Sequence, residues 1–470
     1  MVHELANPPA PDEAFARLSA LPHAVFFDSA RPHETLGRYS YVAAGPTEWR
    51  VATTAEDPVR VLRGLNSRAC GIRADGRRGE WGVTPVAGLP PWQGGVAGMI
   101  GYEIGQAIES LPTARWDEFR LPVLAAGVYE WVLAYDHSKQ RAWIIAQNGP
   151  SGGGADRQIA KVLRILDAPP AQTSPEVGGS SLPRAELAPQ HELRGVLSDF
   201  TRDDYLRAVG KVQERLQAGD AFQANLSQRL LYPDPGDAVA GFLRMREHNP
   251  APFASFLDGG AWQIASASPE RFLSVRGRTI ETRPIKGTRP RGATPADDDR
   301  LAAELAASAK ERAENVMIVD LMRNDLSRVG EDDSVCVPEL FGVERYAHVQ
   351  HLVSVVRARL RADRDVVDLL AATLPAGSIT GAPKVRVQQI IAELEPTARG
   401  PYCGTMFWLG LPNENGAQAM DSSVLIRTRV HARGWVQASV GGGITVGSCP
   451  EREYEETWQK AVGLIEPQDR

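Results

Sequence analysis

The sequence predicts an α+β fold, and three observations lead to it. From about Ala24 to Gln147, short apolar runs such as HAVFFDSA and RAWIIAQ alternate with Gly, Pro and Asp, which is typical of β-rich regions. Beyond residue 192, segments with helical spacing and strand-like segments are mixed. We find no internal repeat and no regular strand and helix alternation of the kind seen in barrels or doubly wound sheets.

The chain divides into three compositional regions. Residues 1–147 form the β-rich N-terminal region, residues 148–192 form a linker rich in Gly, Ser, Pro and Ala, and residues 193–470 form the mixed region. The linker contains one short amphipathic segment, IAKVLRIL. It need not separate independent domains, because strands of the first region could share a sheet with the third. The third region opens with a helical pattern in which Tyr205, Leu206, Val209, Val212 and Leu216 are the apolar positions.

Composition limits the classes of partner and the cellular location. A hydrophobic content of 43% over 470 residues is enough for a large core. A net charge of -6 argues against general attraction to nucleic acid or to anionic membranes. No signal peptide is recognisable, and no apolar run approaches the ~20 residues of a membrane span. Four scattered cysteines predict neither a disulfide framework nor a CxxC metal site, so we expect a cytoplasmic protein that binds small molecules or another protein.

Two pairs of glutamates are candidate metal ligands. Glu311 and Glu314 lie three apart on a helical stretch, and Glu453 and Glu456 do so near the C-terminus. Each pair alone is more typical of a solvated helix surface. If the two pairs converged, their repulsion would require a hard divalent cation, and magnesium prefers carboxylate oxygen and water. The sequence leaves their convergence open.

The C-terminal pair belongs to a predicted amphipathic helix. Ser448 and Glu451 have the spacing of a capping box, so we expect the helix to begin there, with Pro450 in its first turn. At 100° per residue the acids share one face with Lys460. The predicted apolar face carries Trp458, Ala461, Val462 and Ile465.

Lys286, in TRPIKGTRPRG, is a candidate nucleophile. Arg283, Arg289 and Arg291 are close in sequence, and their positive charges would lower the pKa of the lysine and favour its neutral amine. The alternative is an ordinary lysine on a solvent-exposed loop.

Two glycine-rich segments, LPAGSITGAPK and SVGGGITVGS, match no nucleotide-binding motif. Tight turns are the simpler interpretation, but successive glycines also let backbone N–H groups approach an anion. Arg427, in VLIRTRV, would add a carboxylate clamp if it pointed inward, and would otherwise be an exposed strand residue.

These segments resemble a known family. The motifs are PIKGT from Pro284, HLVSVVRARL from His351, AGSITGAPK from Ala376, RGPYCG from Arg399, IRT from Ile426 and GGGIT from Gly441. They are similar to the chorismate-utilising enzymes, which include anthranilate synthase component I, aminodeoxychorismate synthase component I, isochorismate synthases and salicylate synthases. WQGGVAGMIGYEIG and GVYEWVLAYDH extend the resemblance into the N-terminal region. It implies large, mostly antiparallel sheets packed as a sandwich with helices outside.

The resemblance also implies a reaction. Lys286 occupies the position where aminodeoxychorismate synthases carry lysine and anthranilate synthases carry alanine. The implied reaction replaces the 4-hydroxyl of chorismate with an amino group through a covalent lysine adduct, and Glu270 corresponds to the general acid. Isochorismate and salicylate synthases carry a water-activating lysine where this chain has Gln223, so addition of water is disfavoured.

Other site residues are carried over from the family motifs. Glu311, Glu314, Glu453 and Glu456 are the implied magnesium ligands. The implied substrate-binding residues are Thr288, His351, Ser378, Tyr402, Arg427, Gly441, Gly442, Gly443 and Lys460. A tryptophan-like effector is implied at Ser29, Arg38, Tyr39, Pro252 and Phe253, although ordinary sheet packing would explain those residues equally well. The hairpin between Tyr402 and Arg427 is longer than in the family, with a lengthened turn at Pro412 to Gly416.

The chain shows no glutaminase-type nucleophile elbow, so ammonia would come from a separate glutaminase subunit. A lyase would still be needed to form 4-aminobenzoate for folate biosynthesis. The alternatives are an anthranilate synthase component I and a catalytically silent subunit of a glutaminase complex. A pyridoxal phosphate lysine is a third alternative, but we find no phosphate-binding segment to support it.

Overall fold

The computed structural model describes residues 1–30, 36–71, 84–148, 154–168, 187–189, 195–346 and 349–465. Within these residues the helices are α1 (Pro11–Leu18), α2 (Pro58–Ala69), α3 (Ile104–Ile108), α4 (Ala155–Asp167), α5 (Arg202–Gln217), α6 (Ala238–His248), α7 (Pro295–Ala307), α8 (Ala309–Ser327), α9 (Val366–Thr373), α10 (Lys384–Leu394) and α11 (Pro450–Ala461), with a 3-10 helix at Gly377–Ile379.

The strands are short in the N-terminal region and longer near the C-terminus. They are β1 (Val2–Glu4), β2 (Val25–Asp28), β3 (Tyr39–Ala43), β4 (Glu48–Ala52), β5 (Gly95–Ile100), β6 (Leu124–Tyr129), β7 (Trp131–Asp136), β8 (Arg141–Ala146), β9 (Ala188–Pro189), β10 (Leu197–Ser198), β11 (Gln223–Pro233), β12 (Phe253–Asp258), β13 (Trp262–Ser268), β14 (Arg271–Arg276), β15 (Thr279–Thr282), β16 (Ile285–Pro290), β17 (Cys336–Arg345), β18 (Val349–Arg359), β19 (Gly381–Ala382), β20 (Thr405–Pro412), β21 (Gln418–Val424), β22 (Thr428–Ala432) and β23 (Trp435–Ile444).

Two large antiparallel sheets form the centre of the protein. In the described part of the chain, the first has 13 strands, in the order β1-β8-β7-β3-β2-β12-β13-β22-β23-β11-β10-β9, with β19 beside β11. The second has 10, in the order β16-β18-β15-β14-β21-β20-β5-β6-β4, with β17 beside β18. This arrangement confirms the predicted α+β class with antiparallel sheets.

Strands from both sides of the linker lie in the same sheets. β2 pairs with β12 in the first sheet, and β5 pairs with β20 in the second. The inner faces of the two sheets share an apolar core that contains Tyr41, Trp92 and Trp408. The Trp92 and Trp408 ring centroids lie 6.2 Å apart in a stacked arrangement. Burial of these rings therefore joins the N-terminal region to the C-terminal strands.

The sequence pattern correctly predicts helix α5. The side chain of its N-cap residue, Thr201, accepts a hydrogen bond from the Asp204 N–H. Tyr205, Val209, Val212 and Leu216 are buried. No helix among the described residues is both long enough and apolar enough to cross a membrane.

Helix α11 departs from the predicted capping pattern. Its N-cap is Cys449, which makes no capping hydrogen bond through its side chain. The Ser448 hydroxyl instead accepts a hydrogen bond from the Thr445 N–H at 3.0 Å. Ala461 is buried as expected, but Val462 is 74% exposed because the helix ends just before it. The predicted apolar stripe is therefore wrong at Val462.

Candidate active site

Lys286 projects from β16 into a site shared with several carboxylates. β16 pairs with β18, with Lys286 opposite Leu352. Burial lowers the pKa of Lys286, while the charges of Glu314 and Glu270 partly oppose this effect. The predicted direction of the shift is confirmed, and the lowered pKa favours the nucleophilic neutral amine.

The predicted cause of that shift is wrong, because the neighbouring guanidinium groups each pair with a carboxylate: Arg289 lies 3.7 Å from Glu311 Oε1 of the same site, and the other two are paired elsewhere. Arg283 donates to Glu344, and the Arg291 Nε donates to Asp298 Oδ1 at 2.7 Å. Burial is the main cause, and the like charge that adds to it comes from Lys460.

Glu270 lies between β13 and β14, facing the same site. Its side chain is nearly inaccessible, and burial raises its pKa to about 7, although a hydrogen bond with Ser378 and the charge of Lys286 oppose the shift. Ser378 lies in the 3-10 helix Gly377–Ile379. A carboxyl group with a pKa near neutrality can hold and release a proton at physiological pH, as a general acid must.

Thr288 and His351 form a second polar pair on the same strands. They are register partners on β16 and β18, and Thr288 Oγ1 lies 2.9 Å from His351 Nδ1. Burial lowers the pKa of His351 to about 4. The imidazole is therefore neutral at physiological pH and serves as a hydrogen-bonding group rather than as a cation.

The first acid pair lies in the opening turns of α8. The Ser308 hydroxyl accepts a hydrogen bond from the Glu311 N–H and caps this helix. Gly287, with φ of 76°, lies against the acid pair, because a Cβ there would approach Glu311 Oε2 to 3.0 Å. Glycine thus provides both the backbone conformation and the space.

The second acid pair lies on α11, beside β23. A Cβ on Gly442 would lie 3.1 Å from Glu453 Oε2 and 3.7 Å from Glu456 Oε1. Lys460 Nζ donates to the Gly441 carbonyl at 2.8 Å and lies 2.5 Å from Glu456 Oε1. The predicted shared face of Glu453, Glu456 and Lys460 is therefore directed at the glycine-rich strand.

The two acid pairs are close enough to influence each other. Burial raises the pKa of Glu314, and the charges of Glu311 and Glu453 raise it further. Burial also raises the pKa of Glu453, with Glu456 adding to the effect. For Glu456, burial would raise the pKa, but the hydrogen bond from Lys460 and the charges of Lys460, Lys310 and Arg427 outweigh it, so the pKa is lowered. The tertiary structure thus brings together acids from two helices that are remote in sequence.

The donor set fits a hard divalent cation. Glu314 Oε1 is buried and has no hydrogen-bond partner among the described residues, and anionic oxygens are the ligands that magnesium prefers. No three His, Cys, Asp or Glu side chains in the described ranges stand in a ready-made metal cluster. Magnesium retains several waters and commonly uses only one or two carboxylates, so such a cluster is not required.

Arg427 provides a positive charge at the other side of the site. It lies between β21 and β22 in the left-handed region, with φ of 53°. Its Nη1 contacts the Lys460 carbonyl at 3.5 Å, and burial lowers its pKa. Within the described ranges no carboxylate forms an ion pair with Arg427, so its guanidinium can receive an external anion.

Tyr402 lies near this guanidinium and is buried. Burial raises the pKa of Tyr402, so its hydroxyl stays uncharged, and the Arg399 guanidinium lies 5.8 Å from the Tyr402 ring centroid. The predicted turn of this hairpin follows β20, where the Asn413 N–H donates to the Ala417 carbonyl.

The GGG segment lies inside strand β23 and does not form a tight turn. Gly441, Gly442 and Gly443 pair with β11, whereas β22 pairs with β23 only as far as Ala438. A Cβ on Gly443 would collide with the amide of Gln223 at 2.2 Å. Both polar atoms of that buried amide have no hydrogen-bond partner in the described structure.

The five predicted effector residues line one cavity between the sheets, with a volume of about 480 Å³. Its wall includes Ser29, Arg38, Tyr39, Pro252 and Phe253. Arg271, also in the wall, lies 5.0 Å from the Phe253 ring centroid and donates to Asp421 at 3.1 Å. Aromatic and charged groups together suit a small amphipathic ligand.

Sequence reasoning missed Lys310. Its Nζ lies 3.8 Å from Glu314 Oε1, and its charge also acts on Glu453 and Glu456. The four-residue spacing between Lys310 and Glu314 on a helix was the signal available in the sequence.

Comparisons with known proteins agree on one family. The model of the chorismate binding enzyme family matches residues 23–466. Anthranilate synthase component 1 of Streptomyces coelicolor is 38% identical over 459 residues, covering 97% of this chain and 86% of that protein. Aminodeoxychorismate synthase component 1 of Escherichia coli is 37% identical over 470 residues, covering 96% of this chain and 94% of that protein.

The fold comparison agrees with the sequence comparisons. The crystal structure of anthranilate synthase component I from Streptococcus pneumoniae superposes with a TM-score of 0.74 at 27% sequence identity, covering 93% of this chain and 94% of that chain. Because the family match spans nearly the whole chain, the protein belongs to the chorismate-binding enzyme family.

Proposed function

We propose that this protein is component I of an aminodeoxychorismate synthase, which converts chorismate and ammonia into 4-amino-4-deoxychorismate and water. The observation that carries the proposal is the position of Lys286, a lysine of lowered pKa beside Glu270 and Glu314. An amine in this position has a covalent role that an anthranilate synthase does not require.

The reaction runs in two substitutions. The neutral amine of Lys286 bonds to ring carbon 2, the two conjugated ring double bonds shift by one position, and the 4-hydroxyl leaves with a proton from Glu270 as water. Ammonia then bonds to carbon 4, both double bonds shift back, and the lysine amine departs from carbon 2. The new nitrogen on carbon 4 then gives a proton to the Glu270 carboxylate, which returns Glu270 to its protonated form. A pKa of about 7 for Glu270 suits both donation and recovery of that proton.

The substrate is a dianion, and the site carries complementary groups. Arg427, Tyr402, Lys460 and the backbone of Gly441–Gly443 are assigned to the two carboxylates, since Arg427 has no competing ion pair among the described residues. The neutral His351 and the hydroxyls of Thr288 and Ser378 are assigned to the ring and its substituents.

Magnesium is the proposed cofactor. Glu311, Glu314, Glu453 and Glu456 would hold the ion or its water ligands, and the bound ion would neutralise the ring carboxylate. Burial and mutual repulsion of these acids, together with the unpartnered Glu314 oxygen, support this assignment.

Nitrogen supply and regulation form the rest of the proposal. A separate glutaminase subunit would provide ammonia, and the product would feed 4-aminobenzoate and folate synthesis in the cytoplasm. None of the four cysteines forms a disulfide among the described residues, which suits a reducing compartment. We assign catalysis to residues 193–470, with 148–192 as a linker, and propose that residues 1–147 contribute to a tryptophan effector cavity.

Anthranilate synthase component I is the second candidate function. It is favoured by relatives with that name that are as similar to this chain as the aminodeoxychorismate synthases are. The two reactions differ in their products, because anthranilate formation releases pyruvate.

The deciding experiment identifies the product. Purified protein is incubated with chorismate, magnesium and ammonium, and the product is identified for the unmodified protein, Lys286→Ala and Lys211→Ala. Lys211 is an exposed lysine of α5 and serves as the control. We expect aminodeoxychorismate from the unmodified protein and from the control, and at least ~100-fold less from Lys286→Ala. Anthranilate with pyruvate, or unchanged output from Lys286→Ala, would contradict the proposal.

A further inference from the structure

We propose that Lys310 is a resident counter-cation of the acidic site, and that a divalent cation must displace its ammonium group in order to bind. This inference rests on the proposed function, because it takes the two glutamate pairs as the cation site. In this arrangement Lys310 sets how tightly the cation is bound.

The position of Lys310 carries the inference. It is the second residue of α8, one turn before Glu314. Its Nζ lies 3.8 Å from Glu314 Oε1, and its charge also reaches Glu453 and Glu456 on α11. A single ammonium group therefore acts on carboxylates from two helices, as a bound metal ion would.

The other cations in the site are held differently. Lys460 is hydrogen-bonded to the Gly441 carbonyl and lies 2.5 Å from Glu456, and its side chain is only 27% exposed. Arg289 Nη1 donates to the Thr288 carbonyl at 2.9 Å and lies 3.7 Å from Glu311 Oε1. By contrast, the side chain of Lys310 is 62% exposed and stands beyond hydrogen-bond distance of Glu314.

This geometry makes Lys310 the displaceable charge. Glu314 Oε1 remains buried without a hydrogen-bond partner in the described structure, so the ammonium group screens this oxygen without satisfying it. An ion pair whose lysine is exposed and beyond hydrogen-bond distance contributes little free energy, and a lysine side chain can extend into water at small cost. A divalent cation can therefore take its place, but must overcome the repulsion of a nearby positive charge.

The expected consequence is that the charge of Lys310 weakens the binding of a divalent cation. Removal of the Lys310 charge should tighten binding of a divalent cation by about 3- to 10-fold, since the repulsion is partly screened by solvent. Lys310→Met keeps much of the apolar stem and the helix propensity while removing the charge. The variant is therefore expected to fold normally.

The test uses manganese as a spectroscopic probe without chorismate. Free and bound Mn²⁺ are measured by electron paramagnetic resonance, with Mg²⁺ competition, for the unmodified protein, Lys310→Met, Glu314→Gln and Arg323→Met. Arg323 is an exposed cation on the same helix, paired with Asp320, and its Cα lies about 20 Å away along the helix axis. It controls for the change in net charge.

We expect Lys310→Met to bind Mn²⁺ about 3- to 10-fold more tightly, Glu314→Gln to bind it more weakly, and Arg323→Met to match the unmodified protein. Equal or weaker binding by Lys310→Met would overturn the inference. It would also be overturned if neither Lys310→Met nor the unmodified protein bound Mn²⁺ detectably. Unchanged binding by Glu314→Gln would also overturn it, because the ion would then lie elsewhere. Since no product is measured, failure here is distinguishable from failure of the proposed reaction.

Discussion

Glu270 and Lys286 lie close enough that the charge of each alters the pKa of the other. Burial raises the pKa of the carboxyl group and lowers that of the amine. The two charges partly oppose these shifts, but burial prevails in both residues. Burial therefore shifts both groups toward their neutral forms, which are the forms that the proposed first step consumes.

The rate should depend on protonation of Glu270. Because its pKa is about 7, kcat/KM is expected to fall above pH 7 as the general acid ionises. Glu270→Gln should lower kcat by at least ~100-fold and remove this limb from any residual activity. The measurement is a pH profile with saturating ammonia. A profile that stays flat from pH 6 to 9 in the unmodified protein would contradict the assignment.

The same residue should affect stability. A raised folded pKa stabilises the protein fully below pH 4.5, and this contribution is lost as pH rises through about 7. Glu270→Gln cannot ionise, so at pH 8 it should be more stable than the unmodified protein by at most about 3 kcal/mol. Urea unfolding at pH 5 and pH 8 measures the difference. Glu414→Gln, in an exposed turn, should show no such change.

Replacement of Arg427 by glycine should relieve backbone strain but weaken substrate binding. Arg427→Gly relieves the left-handed conformation at φ of 53° and should raise stability by about 1 kcal/mol, while kcat/KM for chorismate falls at least ~100-fold. Arg433→Gly is the matched control, because this exposed residue has φ of 54°. It should gain similar stability with unchanged kinetics. Equal kinetic losses in both variants would argue against a carboxylate clamp.

Gly442 leaves little room for a side chain while the acids occupy their present positions. The Cβ of Gly442→Ala would lie 3.1 Å from Glu453 Oε2 and would press on the second acid pair. We expect the magnesium concentration at half-maximal rate to rise by about 10-fold, with little change in the melting temperature. Gly447→Ala, where a Cβ meets no atom within 4 Å, is the control. Normal magnesium dependence in both variants would refute the expectation.

The cavity between the sheets should bind tryptophan. Saturating L-tryptophan is expected to raise the melting temperature of the unmodified protein, because a ligand that binds only the folded state stabilises it. Phe253→Ala removes an aromatic wall residue and should weaken binding by about 10-fold or more. Phe222→Ala changes a ring that is 72% exposed and lies outside this cavity wall, so it should bind normally. Calorimetric titration of the three proteins measures the affinities.

Local sequence determined the elements whose signals lie within a few residues. The apolar spacing from Tyr205 to Leu216 and the cap at Thr201 specify α5, because helix periodicity and capping are near-neighbour effects. Order and identity of the family motifs also indicated the family, which the match over residues 23–466 confirms.

Only the tertiary structure decided how those elements combine into a site. Glu314 and Glu453 come together because helices remote in sequence pack beside β16 and β23, and the pKa of Lys286 falls because of burial and not because of its arginine neighbours. Similarly, Ser448 does not cap α11 as predicted, because its hydroxyl accepts a hydrogen bond from the Thr445 N–H. Burial and electrostatic coupling depend on distances in space, which the spacing of residues along one chain does not specify.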